Sequence, residues 1–133
     1  MINQINVGVI GTGWCGGIRA NACADNPLVD KLYIAENNKN RLQELKKSLE
    51  LENATDNWNE LIDNKNIDTI IISATPETTH FPMALAALKA GKNVFLEKPI
   101  ATSLKEAEEL IEVSIKNNVK FTIGYSQRFN SKY

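Results

Sequence analysis

The chain has 133 residues, 43% of them apolar and 23% charged, with 15 Lys and Arg against 16 Asp and Glu. A chain of this length suits one domain that buries roughly 65–70% of its unfolded surface, and its composition argues against disorder and membrane insertion. The near-neutral charge balance provides no field to draw in nucleic acid or an anionic membrane, so neither is expected as a partner.

The opening "MINQINVGVI" has no basic segment followed by a long apolar one, so no secretory signal is read there. The longest purely aliphatic run, Ile70 to Ile72, is far too short to span a bilayer. Cys15 and Cys23 fall in one predicted loop-helix unit. A helix holds such a pair about 12 Å apart, beyond disulfide reach, so two reduced thiols and a cytoplasmic location are expected.

Taken in chain order, β-branched runs predict strands over Ile5–Ile10, Leu32–Glu36, Thr69–Ser73, Asn93–Leu96 and Lys120–Ile123, with a weaker one near Asn53–Thr55. Helical periods lie between them. Leu42, Leu45 and Leu49 share one face, as do Phe81, Ala84, Leu85 and Leu88, and then Leu104, Ala107 and Ile111. Trp58 opens a short helical stretch with Leu61 and Ile62 and is expected in the core. Ser103 with Glu106 reads as a capping box, and Gly91 as a left-handed helix end. A strand such as "TIII", apolar on both faces, belongs to a parallel sheet covered by helices on both sides. The alternation of strand and helix predicts an α/β fold of three layers, a doubly wound parallel sheet.

Ligands of such sheets bind outside the carboxyl ends of the strands. Behind the strands stand "GTGWCGG", Glu36, "SATPETTH", "EKP" and "GYSQRF", five polar or glycine-rich segments on one rim. The first is G-x-G-x-x-G. Gly11 permits a tight turn, Gly13 lets a pyrophosphate approach the backbone, and Gly16 lets the helix pack close to the strand. The free N–H groups of the following helix then receive the phosphates. No Lys-Ser/Thr pair follows the glycines, which excludes a P-loop. These features together predict a Rossmann dinucleotide-binding fold.

Glu36 lies twenty residues past Gly16, where its carboxylate can accept from both ribose hydroxyls and repel a 2′-phosphate. NAD is therefore expected over NADP, although Lys39 and Arg41 further along could partly compensate. Thr12 and Ala74 fall within the rim segments and join the cofactor candidates. Trp14 can shield the pyrophosphate, contact a substrate, or simply pack in the loop. Cys15 is a small residue tolerated by the turn. His80, the one histidine, follows the "TP" turn and is either a site residue or a packed one; Thr75 and Pro76 shape that loop against the cofactor. Lys98, held between the end of an apolar strand and Pro99, is the candidate catalytic group. Its ammonium can stabilise charge on an oxygen or exchange its proton, with Glu97 beside it. Burial is expected to tune it.

The segments "GVIGTGWCGG", "ISATPETTH", "VFLEKPIATS" and "GYSQRFN", in that order, resemble the glucose–fructose oxidoreductase / inositol dehydrogenase / MocA (Gfo/Idh/MocA) family. That resemblance implies an NAD(P)-dependent oxidoreductase acting on sugars, cyclitols or related polyols, and a homo-oligomeric full-length protein. It also implies that Lys98 is the active-site lysine and that Arg128 lies near the nicotinamide or substrate. Family members look like longer, two-domain proteins. Residues 1–123 are thus read as the dinucleotide-binding domain and 124–133 as the start of a connection to a substrate domain, and the chain alone is expected to bind cofactor without turnover. A non-catalytic NAD(P)-sensing regulator and a biliverdin-reductase-like reductase remain as alternatives. The first has no chemical need of Lys98.

Overall fold

The computed structural model describes residues 3–51 and 53–133. In chain order these form β1 (Ile5–Ile10), α1 (Trp14–Ala24), β2 (Val29–Ala35), α2 (Lys39–Ser48), β3 (Ala54–Thr55) and α3 (Trp58–Asp63). Then come β4 (Thr69–Ile72), α4 (His80–Lys89), β5 (Asn93–Glu97), α5 (Leu104–Lys116) and β6 (Phe121–Gly124). Two single 3₁₀ turns, Glu77–Thr79 and Ser126–Phe129, follow β4 and β6.

All six strands run parallel in the order β3-β2-β1-β4-β5-β6. The order reverses between β1 and β4, and a crevice opens where the outgoing connections part to opposite faces. Register brings the strand ends level. Ile10 pairs with both Ala35 and Ile72, Ile72 with Leu96, and Glu97 with Gly124. The segments that follow the strands therefore emerge along one rim.

Period-two alternation separates the two faces of the sheet. Val7, Val9 and Ile34 point to the side of α1 and α2, where Ala20, Leu42 and Leu45 cover them. Ile10, Tyr33, Ile70, Ile72, Val94 and Leu96 point to the side of α3, α4 and α5, meeting Leu61, Leu88 and Leu110. Burying one such side chain contributes about 1.5–3 kcal/mol, and this larger cluster is the main source of stability.

The strands match the sequence expectation to within one residue at each end, except that β2 starts at Val29 rather than Leu32. Asp30 and Lys31 hide that extension from a hydrophobic pattern, yet Asn6 Oδ1 accepts the Lys31 N–H at 3.1 Å and ties it to β1. The capping box is half formed. Ser103 Oγ accepts from the Glu106 N–H, whereas the Glu106 carboxylate takes the Thr102 hydroxyl instead of closing the box. Gly91 adopts φ +76°, as a left-handed helix end requires. Among the described residues no helix is long and apolar enough to cross a membrane.

At the opposite rim, buried Lys92 donates from Nζ to the carbonyls of Asn64 (2.6 Å) and Ile67 (2.9 Å) and so pins the loop entering β4. Burial pushes its pKa down, and the Asp68 charge opposes that shift. Lys92→Met should leave the Ile67 carbonyl without a donor and the Asn64 carbonyl with the Ile67 N–H alone, and lower stability by about 1–3 kcal/mol in urea unfolding. Because Lys92 lies at the far end of the sheet, ligand binding at the carboxyl rim should be unchanged.

Candidate functional site

The three glycines of the first turn stand in three different surroundings. Gly11 has φ +82°, and a Cβ there would lie 2.6 Å from Ala74 Cα. A Cβ on Gly16 would lie 1.9 Å from the Gly11 carbonyl oxygen. Gly13 differs: nothing stands within 4 Å of its Cβ position, so the space above it is open. Gly13 also caps α1 with extended backbone and no side-chain acceptor, leaving the first N–H groups of an eleven-residue helix free for an anion.

Above this turn lies a cavity of about 610 Å³. Glu36, Arg41 and Trp58 line one end, the glycine turn crosses the middle, and Ala74, Thr75 and Met83 line the other. A cavity of this volume, lined by free amides at the start of α1 and by polar groups after β2 and β4, suits a dinucleotide.

Glu36 is buried at the end of β2 and braces the turn. Its Oε2 accepts from the Thr12 N–H (2.9 Å) and the Thr12 hydroxyl (2.6 Å), and its Oε1 accepts from the Asn38 N–H (2.9 Å). Burial pushes this carboxyl up, but those three hydrogen bonds and the nearby Arg41 charge outweigh it, so its pKa lies below the usual glutamate value. A carboxylate offers about four acceptor positions. Three are used within the chain, which leaves one acceptor position of Glu36 open towards the cavity. Arg41 comes closer than its place in the sequence suggested. Asn38 caps α2 through the Arg41 N–H, and the guanidinium turns back so that Nε donates to the Thr12 carbonyl at 3.1 Å.

Of the sequence candidates, Gly11, Thr12, Gly13, Trp14, Glu36, Ala74 and Thr75 line the cavity, while Gly16 lies beneath it. Trp14 is 87% exposed, so it is not packed in the loop. Trp58 packs partly against the core, as expected, but also forms a wall of the cavity. Cys15 and Cys23 are both free thiols, and burial pushes the Cys23 thiol up.

Pro76, His80, Glu97, Lys98 and Arg128 stand outside the cavity. Arg128 is exposed on the turn after β6. His80 is buried, with Nδ1 2.7 Å from the Pro99 carbonyl oxygen and Nε2 3.0 Å from that of Ala74. Glu97 turns away from Lys98 to Arg19 of α1, whose Nη2 stands 2.5 Å from Glu97 Oε2. That pair lies off hydrogen-bond alignment, and we treat it as an ion pair. The same guanidinium covers the Phe95 ring at 5.1 Å. Lys98 is exposed, so these residues do not supply the burial expected for it. Among the described residues it forms no ion pair.

Sequence reasoning missed Arg19 and Ser73 and did not place Arg41 at the site. Ser73 lines the cavity and its buried hydroxyl has no partner among the described residues, which fits a site completed by a ligand. Spacing alone gives no sign that Arg19, on α1, reaches Glu97, on β5.

A parallel sheet with a glycine turn at its switch point, a braced acid after β2 and an open trough above them defines a dinucleotide-binding α/β domain. The chain belongs to the Gfo/Idh/MocA oxidoreductase family, with its NAD-binding Rossmann fold, whose profile matches residues 5–125. It is 33% identical to myo-inositol 2-dehydrogenase of Thermotoga maritima, covering 97% of this chain and 38% of that protein. It is 30% identical to levoglucosan dehydrogenase of Pseudarthrobacter phenanthrenivorans, covering 96% of this chain and 34% of that one. The structure of scyllo-inositol dehydrogenase from Lactobacillus casei, with bound NAD(H) and scyllo-inositol, superposes with a TM-score of 0.90 at 28% identity, covering 98% of this chain and 39% of that one. The chain thus spans well under half the length of these relatives.

The glycine geometry separates folding from binding. Gly13→Val should retain the wild-type thermal unfolding midpoint and lose dinucleotide binding, because its side chain fills only the open trough. Gly16→Ala should lower that midpoint markedly, since its methyl group meets main chain.

Proposed function

We propose that this chain holds NAD(H) along the carboxyl rim and serves an oxidoreductase that moves a hydride between the nicotinamide and a hydroxyl-bearing carbon of a sugar, cyclitol or related polyol. The observation that carries the proposal is the open space over Gly13, set at the uncapped start of α1 and between the two polar ends of the trough. The inositol and levoglucosan dehydrogenases among the relatives support the substrate class. On this reading residues 1–123 form the nucleotide-binding unit and 124–133 begin the connection to a substrate-binding domain, which the greater length of the relatives supports. The two free thiols fit a cytoplasmic protein.

The residues have distinct tasks. The amides at the start of α1 hold the pyrophosphate, and the remaining acceptor position of Glu36 holds one ribose hydroxyl of the adenosine half. NAD supplies the hydride acceptor when bound. Lys98 stands on the short link between β5 and Pro99, and the Arg19 ion pair keeps the adjacent Glu97 carboxylate from neutralising it. Its ammonium donates to the substrate oxygen when that oxygen bears charge. As the amine, it takes the hydroxyl proton in the oxidising direction.

NADH should bind more tightly than NADPH in a titration followed by Trp14 fluorescence. Arg41→Ala should widen that difference, because it removes the cation nearest the Glu36 carboxylate. Glu36→Ala should narrow it and also lower the unfolding midpoint, since the Thr12 brace is lost. Equal affinities in the wild type would remove Glu36 from this role.

In a form of the protein that oxidises a polyol, Lys98→Ala should cut kcat by about 10²–10⁴, the usual worth of one acid–base or electrostatic group. The NAD dissociation constant should change far less. A normal rate would leave Lys98 as a residue in a plain turn.

A further inference from the structure

His80 is the first residue of α4, 2% exposed, and the one histidine of the chain. Its two ring nitrogens face two main-chain carbonyls from different loops, Pro99 at 2.7 Å and Ala74 at 3.0 Å. Among the described residues neither carbonyl has another hydrogen-bond partner. An apolar side chain of equal size would fill the space but take the donor away from the one oxygen that the ring N–H serves, at a cost typical of buried polar groups.

The two loops matter more than the burial. Pro99 directly follows Lys98. Ala74 abuts the cofactor turn, with its Cα and N 2.6 and 2.7 Å from where a Gly11 Cβ would be. A line of contact therefore runs from the glycine turn through Ala74 and the imidazole to Pro99 and Lys98. We infer that His80 is a positioning residue that fixes where Lys98 stands relative to the cofactor-binding turn, acting through the Pro99 carbonyl while its ring packs against Ala74. This rests on the role proposed for Lys98.

A neutral imidazole carries one N–H. The shorter contact, and the one that restrains the lysine, is to Pro99, so Nδ1 is the nitrogen that must donate. Three substitutions separate the two ring positions. Asn places an amide N–H near the position of Nδ1, Gln places one near Nε2, and Leu keeps bulk with neither. In His80→Gln and His80→Leu, amide hydrogen exchange over residues 97–102 should rise about ten-fold, the factor for losing one ordinary hydrogen bond. Exchange over 70–72 and 94–96 should stay near wild type. Labelling of Lys98 by an amine-reactive succinimidyl ester should lose its protection by saturating NADH in the same two variants. His80→Asn should restore both readouts.

Uniformly raised exchange in all three variants, or rescue by Gln rather than Asn, would overturn the inference. If the variants do not fold, the ring signals of the wild type decide. A long-range proton–nitrogen spectrum should show a proton on Nδ1, and an unprotonated Nδ1 at neutral pH would refute the assignment. Failure of the wild type to bind NADH would count against the proposed function, while the exchange contrast would still test the positioning.

Discussion

The geometry of the rim depends on a main-chain approach between the end of β1 and the end of β4. Gly11 comes so close to Ala74 that no side chain fits between them, and its positive φ turns the chain upward into α1. That contact sits where the strand order reverses, so it decides where the crevice opens and what flanks it. Gly16 then lies against the Gly11 carbonyl, which fixes how near the start of α1 stands to the sheet. The free amides of that helix face the trough because of these two close approaches.

Charged residues at the rim are committed to holding main chain in place before they meet any ligand. Glu36 spends three acceptor positions on Thr12 and Asn38. Arg41 reaches back to the Thr12 carbonyl, and Arg19 crosses from α1 to Glu97 at the end of β5. Apart from the local Glu36–Asn38 bond, these contacts join segments distant in the chain, so the cofactor turn and the lysine-bearing link are braced independently of the hydrophobic core. Lys98 differs from its neighbours. It is exposed and forms no ion pair among the described residues, while the carboxylate beside it is paired elsewhere. A cation left free in this way keeps its charge uncompensated by a neighbouring carboxylate, whereas a paired one would lose much of its field.

Local chemistry made much of this legible from the chain alone. The glycine spacing, the apolar strand before it and the acid twenty residues later pointed to the turn and its ligand class, because each reflects a steric or electrostatic need satisfied by neighbours in sequence. The strands were equally readable wherever both faces were apolar, as in Ile70–Ile72. The start of β2 was not, since Asp30 and Lys31 join the ladder through backbone and through Asn6, which leaves no hydrophobic trace.

The sequence by itself determined the fold class, the cofactor turn and the identity of the rim segments, because period, turn chemistry and motif spacing are local properties. Tertiary structure decided which side chain serves which partner. It turned Glu97 to Arg19, gave both nitrogens of His80 to carbonyls of separate loops, brought Arg41 to the glycine turn and set Trp58 as a cavity wall. These pairings span 6 to 78 residues or rest on packing between layers, and a side chain's choice among several partners within reach depends on distances that only the assembled sheet and helices create.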